Sequence, residues 1–436
     1  MKIALIGQEI PALLPSLLAD LLFAGHEAAE ICAEEKNETM SSLLEAYADR
    51  IIRHSGVDAR FRACSGLEDT LCGADAVVYA GDYMASSRFQ QDREALGGDE
   101  NDPEGLSDQA RVNGGLGGLM HTLRQGEKIR QLCDDMDGLC PKALVITLGE
   151  PVARTVELFS LRGYRCYGLG KGIAKGPGGV EDICRRLGLD ARKAAAHAAG
   201  LPGFEFLLSL TGEDGQEQLD RVTELARRGE LGRLCARWLE RYGAVAVGRV
   251  TEHAEFLPAQ PDYAPEERPA LTESVERRKE RILWMNTVGQ QGLDTQEAKM
   301  AQVWLLSRAP AARPMQLALA LLRGEDLEMP TVARKNRGEI VSLPREAVIQ
   351  SDLTLKGGAE QPHGVRLPPE LADVCAEIDE AGRLAARAAF GDRSALRECI
   401  ELDPALEGLD RLYLREVVDK LIDMHSDILT LFGDGE

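Results

Sequence analysis

Along the first 190 residues the apolar positions change period repeatedly. Short runs that are apolar almost throughout fall at 2–6, 28–32, 59–63, 76–80, 143–148 and 164–169. Between them apolar residues return every three or four positions, at 13–23, 40–54, 116–136 and 153–161. The runs predict strands buried on both faces, and the intervals predict amphipathic helices. Strand–helix alternation of this kind builds a parallel, doubly wound sheet covered by helices on both sides, a Rossmann-like α/β domain.

After residue 190 the period becomes mainly helical, at 219–242, 271–288, 316–322, 370–390, 393–400 and 409–432, with β-like stretches only at 339–343 and 347–350. Charged, glycine- and proline-rich segments at 97–105, 212–215 and 259–269 read as solvated loops. The pattern therefore divides the chain into a Rossmann-like dinucleotide-binding domain, 1–190, and a mainly α, α+β domain, 191–436. A length of 436 residues agrees, because one hydrophobic core does not serve a chain of that size.

Charge narrows the function classes. Acidic residues outnumber basic ones by 72 to 51, a formal net charge of −21, which disfavours nucleic acid and anionic membranes as partners. No run approaches the ~20 apolar residues of a membrane helix, and the apolar start is too short for a signal peptide, so the reading is cytosolic. Ten scattered cysteines, with no C-x-x-C pair and no Cys/His cluster at zinc spacing, read as reduced thiols used as small core residues.

Ligands of doubly wound sheets bind beyond the carboxyl ends of the strands. After the first strand, 6-IGQEIPALLPS-16 has a phosphate turn's position but one glycine, Gly7, followed by Gln8, Glu9 and Pro11. Glu9 repels a phosphate and Pro11 lacks an amide, so a dinucleotide is weakened there without being excluded. Glu30, read at the end of the second strand, is placed to accept from a ribose diol or is simply solvated. In 113-NGGLGGLMHTLR-124, four glycines in five residues open a helix; Gly115 and Gly117 serve either a close ligand or tight packing. Arg88 and Asp92 follow the fourth strand. Arg88 is suited to a sugar phosphate or carboxylate, or else pairs with Asp92 across a helix turn. Arg111 and Asn113 precede the glycines and face the same cleft. His121, His425, Trp238, Trp284 and Trp304 lie in helical patterns and read as packing residues.

The order of these segments resembles glycoside hydrolase family 4, the NAD- and metal-dependent glycosidases of the lactate/malate dehydrogenase-like superfamily. The resemblance runs over nearly the whole chain: 75-DAVVYAGDYMASSRFQQD-92, 114-GGLGGLMHTLR-124, 145-VITLGEPVARTVE-157, 168-GLGK-171, 200-GLPGFEF-206 and, most specifically, 336-NRGEIVSLPREAVIQ-350. It implies sugar oxidation at C3 by NAD, proton abstraction at C2 and elimination of the aglycone. A divalent metal, Mn2+, polarises the oxygens. It also implies a dimer or tetramer, a sugar or sugar phosphate as substrate, and a sugar-facing loop holding His363.

The same resemblance assigns the family's Cys metal ligand to Gly170, its His ligand to Gly203, the Asn that contacts sugar and metal to Glu150, and the residue after the Cys to Lys171. Its tyrosine base falls near Pro314, where the sequence has no tyrosine. No metal ligands are assigned, and NAD is a doubtful cofactor. Three readings follow: a binding or accessory protein that has lost the redox elimination; an enzyme of altered chemistry with Lys171 as a fixed cation and Glu150 as acid or base; or conventional chemistry with ligands displaced to Cys166 and His197, which strand spacing moves too far.

Overall fold

The computed structural model describes residues 1–23, 29–81, 85–97, 106–170, 172–174, 176, 178–260, 271–291 and 313–432. The first elements are β1 (Lys2–Ile6), α1 (Ile10–Phe23), β2 (Ala29–Glu34), α2 (Glu38–Ser55), β3 (Ala59–Cys64), α3 (Leu67–Leu71), β4 (Ala76–Tyr79), α4 (Ala85–Ala95), α5 (Gly115–Leu139), β5 (Leu144–Thr147), α6 (Val152–Leu161), β6 (Cys166–Gly168) and α7 (Val180–Leu187). There follow β7 (Ala195–Leu201), β8 (Phe204–Thr211), α8 (Leu219–Arg227), α9 (Arg233–Tyr242), β9 (Val245–Ala246), α10 (Val250–His253), α11 (Leu271–Gln291), α12 (Pro314–Arg323), β10 (Leu327–Lys335), β11 (Val348–Lys356), β12 (Ala359–Glu360), α13 (Pro369–Ala389), α14 (Arg393–Leu402) and α15 (Arg411–Met424).

All six strands read from the first half form. They pair in parallel in the order β3-β2-β1-β4-β5-β6, so the strand order reverses between β1 and β4. This is the doubly wound order, and its reversal opens a crevice beyond the carboxyl ends. The period-2 alternation of each strand divides its side chains between two covers. Ala4, Val77, Tyr79 and Val145 pack with α5, α6 and the last helices. Ile3, Leu5, Val78 and Ile146 pack on the other face with α1, α2, α11 and α12. Both faces are dry, which is why these strands read as apolar throughout.

The second half departs from its pattern in strand content. The sheet continues antiparallel from β6 through β10, β11, β7, β8 and β9, with β12 on β11, so six strands follow residue 190 among the described residues, where two short ones were expected. The hairpin β7–β8 reads AAHAAGL and FEFLLSLT, alanine- and leucine-rich with almost no β-branched residues, so propensity is silent there. Pairing along its whole length overrides that. Residues 339–343 hold one bridge, Ile340 to Val365, rather than a strand. The stretch 219–242 is two helices, parted at Gly229 and Gly232, both with positive φ. Trp238 is fully buried and Trp284 stacks edge-on against Tyr47; Trp304, residue 28 and most of the loops 97–105 and 259–269 lie outside the described residues. All ten cysteines are free thiols, and no described helix is long and apolar enough to cross a membrane.

Candidate functional site

The crevice at the carboxyl edge is lined first by the turn after β1. Gly7 has φ 122°, and a Cβ there would lie 2.3 Å from the Ala80 carbonyl oxygen, so its missing side chain is needed for the approach of β1 to β4. The amides at the start of α1 are also committed. Glu9 donates to Ala80 O at 3.2 Å, Ile10 to Gly7 O at 3.1 Å, Pro11 has no N–H, and Ala12 and Leu13 donate to Glu9 O. A pyrophosphate needs such amides unpaired. Positions 9–13 have none to give, so this turn does not fit a dinucleotide phosphate.

The glycines in the first turn of α5 are likewise occupied by the chain itself. A Cβ on Gly115 would meet Gln109 Oε1 at 2.5 Å, and one on Gly117 the Arg111 carbonyl at 2.3 Å. Of the two uses read for this cluster, the close approach seen is to residues 109–113. Arg111 is wholly buried: its guanidinium donates to the carbonyls of Asp108, Glu255 and Leu257 and pairs with Asp108 at 2.5 Å. It is a tie between loops and does not face the cleft. Asn113 is also committed, since its backbone N–H and its Nδ2 both donate to Glu255 Oε2, at 2.7 and 2.8 Å. Burial pushes the Glu255 carboxyl up to about 7, against the pull of those Asn113 donors.

Between β4, α5 and β5 lies a polar network that sequence reading did not identify. Tyr79 Oη donates to Gln125 Oε1 at 3.0 Å; Gln125 Nε2 and His121 Nε2 both donate to the Glu150 carbonyl, at 3.0 and 2.7 Å. A carbonyl only accepts, so His121 carries its proton on Nε2. His121 and Gln125 are four apart on α5 and so share a face, a spacing visible in the sequence, but their target is not. The Glu150 backbone is thereby held by two donors. Its half-buried carboxylate makes no hydrogen bond or ion pair among the described residues. Lys171, its proposed partner, lies outside them.

The other assigned residues fall elsewhere. Glu30 stands at the amino end of β2, opposite Lys2 and 3.5 Å from Arg62, because β2 runs on to Glu34; the acid at the carboxyl end is Glu34, paired with Lys36. Arg88 and Asp92 do not pair with each other. Asp92 is fully buried, bidentate to Arg124 at 3.1 and 2.8 Å and 2.6 Å from His425 Nε2, while Arg88 reaches His425 Nδ1 and Asp427. These residues anchor the C-terminal segment to α4 and α5, and Asp92, at 0% exposure, is closed off from a sugar. His363 is exposed beside Thr354 Oγ1, in a groove of about 650 Å³ over β7, β10 and β11 that also holds the His197–Asp352 pair.

Comparisons with known proteins can now be set on this geometry. The description "Family 4 glycosyl hydrolase" matches residues 30–186. The fold is shared with lplD of Bacillus subtilis, a candidate glucosidase, at TM-score 0.72 and 18% identity over 97% of this chain and 99% of that one. It is shared with a 6-phospho-alpha-glucosidase from gut microorganisms solved with NAD and Mn2+, at 0.71 and 14% over 98% of each chain. A 6-phospho-beta glucosidase from Thermotoga maritima, solved with NAD and glucose-6-phosphate, gives 0.69 and 14% over 98% and 99%. The chain thus matches the family 4 description over residues 30–186 and shares its fold with these structures along nearly its whole length. Curated protein sequences give no match.

The positions to which the resemblance assigns metal ligands can be located in this fold. Gly170 lies two residues past the end of β6, where a Cβ would touch Val152 of α6 at 3.2 Å, so it neighbours the Glu150 loop. Gly203 is the second residue of the two-residue turn joining β7 to β8, after Pro202, with φ 84°. Proline then glycine at positive φ is the type II turn pattern, which strains any side chain placed at Gly203. That turn packs on Phe256, next to the Glu255 that holds Asn113, so Gly203, Asn113 and the α6 start belong to one neighbourhood. Cys166 faces the core, its thiol pushed well up by burial, and His197 pairs with Asp352. Their strands are three steps apart, ~14 Å. One metal does not reach both. Among the described residues no group of three or more His, Cys, Asp or Glu is placed to hold a metal ion. The tyrosine expected near Pro314 has no counterpart there: α12 begins PMQLALALLR, and Asp20 caps it through Met315 and Gln316.

Proposed function

We propose that this family 4-like chain binds a small sugar or sugar phosphate at the carboxyl edge of its parallel sheet, as a binding or accessory protein of carbohydrate metabolism, without metal-assisted redox elimination. The observation that supports this reading is the pair of glycines, Gly170 and Gly203, where the family places a thiolate and an imidazole. A glycine offers no side-chain lone pair, and Gly203 sits in a turn that resists its replacement. No step through NAD or Mn2+ is derived, because neither the α1 amides nor these positions fit them.

The test is thermal unfolding with sugars and their 6-phosphates, and separately with NAD, NADH and Mn2+, joined to a screen of nitrophenyl glycosides and their 6-phosphates with and without NAD and Mn2+. A ligand at 100 times its Kd adds ~2.7 kcal/mol. The reading predicts a shift with a sugar ligand and none with Mn2+, and no turnover. Robust turnover that requires Mn2+ and NAD would overturn it.

A second reading, an enzyme of altered chemistry, is favoured by one observation: the carboxylate of Glu150, without a hydrogen bond or ion pair among the described residues, on a doubly anchored backbone. Metal-independent turnover that falls by ~100-fold or more in both Glu150→Gln and Lys171→Ala would support it over the first.

A further inference from the structure

At the amino edge of the parallel sheet, away from the crevice, α3 and α5 end side by side, each on a cysteine. Cys72 follows the last residue of α3 and Cys140 the last residue of α5. One hydrogen bond joins the two ends: the Gly73 amide donates to the Leu139 carbonyl at 3.1 Å. The cysteines therefore stand one residue before its donor and one residue after its acceptor. Across a rung of that kind the facing Cα atoms lie ~4.5–5.5 Å apart. A disulfide joins Cα atoms ~4.4–6.8 Å apart. The two thiols are also close enough to act on each other electrostatically.

Of the ten thiols Cys72 alone is exposed, while Cys140 is 4% exposed. Burial pushes the Cys140 thiol up to about 11, against the pull of the Lys2 ammonium, which itself donates to the Cys72 carbonyl at 2.8 Å. An accessible thiol that reacts first, beside a sheltered one that resolves it, is the arrangement a reversible thiol switch needs. The other neighbouring thiols lack the accessible member: Cys32 with Cys64, on β2 and β3, and Cys133 with Cys166 are buried on both sides.

We propose that Cys72 and Cys140 form a reversible disulfide, stapling the ends of α3 and α5, by exchange with a low-molecular-weight disulfide such as glutathione disulfide. The Cys72 thiolate attacks one sulfur of that reagent, whose S–S bond breaks, and the departing glutathione thiolate takes up a proton. The Cys140 thiol then gives up its proton, attacks the Cys72 sulfur of the mixed disulfide and expels the second glutathione as its thiol. Two protein thiols are oxidised and one glutathione disulfide is reduced to two thiols. The bond closes a loop of about 70 residues that contains β4, α4 and α5. It forms at the edge opposite the crevice, so the inference stands independently of whether a sugar binds there.

The experiment treats the full chain with glutathione disulfide in the absence of denaturant, blocks the remaining thiols with iodoacetamide and maps the peptides by mass spectrometry. The expected result is a peptide linking Cys72 to Cys140 and a loss of two from the ten free thiols, both reversed by dithiothreitol. The oxidised chain should melt ~3 °C or more above the reduced one. Cys72→Ser, a change at an exposed position that leaves the core intact, should form no link and lose the shift. Cys140→Ser should stop at the mixed disulfide, with glutathione held on Cys72. No linked peptide, a link that forms only in urea, glutathione retained on Cys72 of the wild type, or a linked chain that melts no higher than the reduced one would each overturn the proposal.

Discussion

Glu205 shows what a single side chain does when the fold takes it out of water. It lies on β8 at 5% exposure, accepts from the Gly203 amide at 3.2 Å and from Gln350, and burial pushes its carboxyl up to about 8. A folded-state value raised above the unfolded one means stability that is complete below the unfolded value, near 4.5, and lost as pH rises through 8. Glu205→Gln removes this proton linkage while keeping a polar partner for Gln350. Between pH 5 and 8 the wild type should therefore lose stability relative to the variant, by up to ~1.4 kcal/mol per pH unit. Urea unfolding of both proteins at pH 5, 6.5 and 8 measures the difference; parallel curves would sink the assignment. Gln350 closes the segment that most strongly resembles the family, yet its partner is legible only from pairing: Gln350 lies opposite Gly200, which lies opposite Glu205.

Within helix α5 two glycines obey opposite rules. Helix propensity alone makes glycine-to-alanine stabilising by up to ~1 kcal/mol. At Gly138 nothing lies within 4 Å of an added Cβ, so Gly138→Ala should stabilise by ~0.5–1 kcal/mol. At Gly126 the added Cβ would stand 2.3 Å from the Ala389 Cβ of α13, so Gly126→Ala should destabilise by ~1–3 kcal/mol. Denaturation midpoints of the two variants, expected on opposite sides of wild type, check this. Both residues read alike in the amphipathic pattern, and only the seating of α13 separates them.

The same scale explains the two arginines and the aspartate that read as substrate ligands. Arg88, Asp92 and Arg111 follow strand ends, where ligands bind. A sequence does not say whether a charged residue near an edge points at solvent or at another loop. Here α5 presents Arg124 to Asp92, and the C-terminal segment returns to present His425. Removing one partner of such a buried pair strands the other charge. Asp92→Asn should therefore cost ~3–5 kcal/mol. A change of less than ~1 kcal/mol, read by urea unfolding, would contradict the anchoring role.

For the molecule as a whole, buried acids set the pH response. Burial raises Asp20 and Glu255 to about 7, Glu205 to about 8 and Asp379 to about 6. Each stabilises fully below its unfolded value and loses that contribution as pH climbs through 6 to 8. His253, buried among aromatic rings, has the opposite sign: burial lowers it to about 3, so its contribution is lost as pH falls below 6.5. A net charge of −21 adds self-repulsion on the alkaline side. Four raised acids outweigh the one histidine above their unfolded values, so the melting temperature should peak near pH 4.5 and fall by several degrees by pH 8.5. A scan that rises steadily from pH 6 to 8.5 would refute this balance.

The sequence by itself determined the six strands of the first half and helices α1, α2, α5 and α6 but not α3, α4 and α7, because a sheet covered on both faces writes its burial directly into contiguous apolar runs. It also carried the resemblance to family 4, whose description matches residues 30–186. Tertiary structure alone decided that strands after residue 190 extend the same sheet, since the β7–β8 hairpin pairs with almost no β-branched residues. It alone decided which charged and glycine positions face the crevice and which are spent within the protein. That choice depends on contacts between residues hundreds of positions apart, and a periodicity read over ten or twenty residues has no access to them.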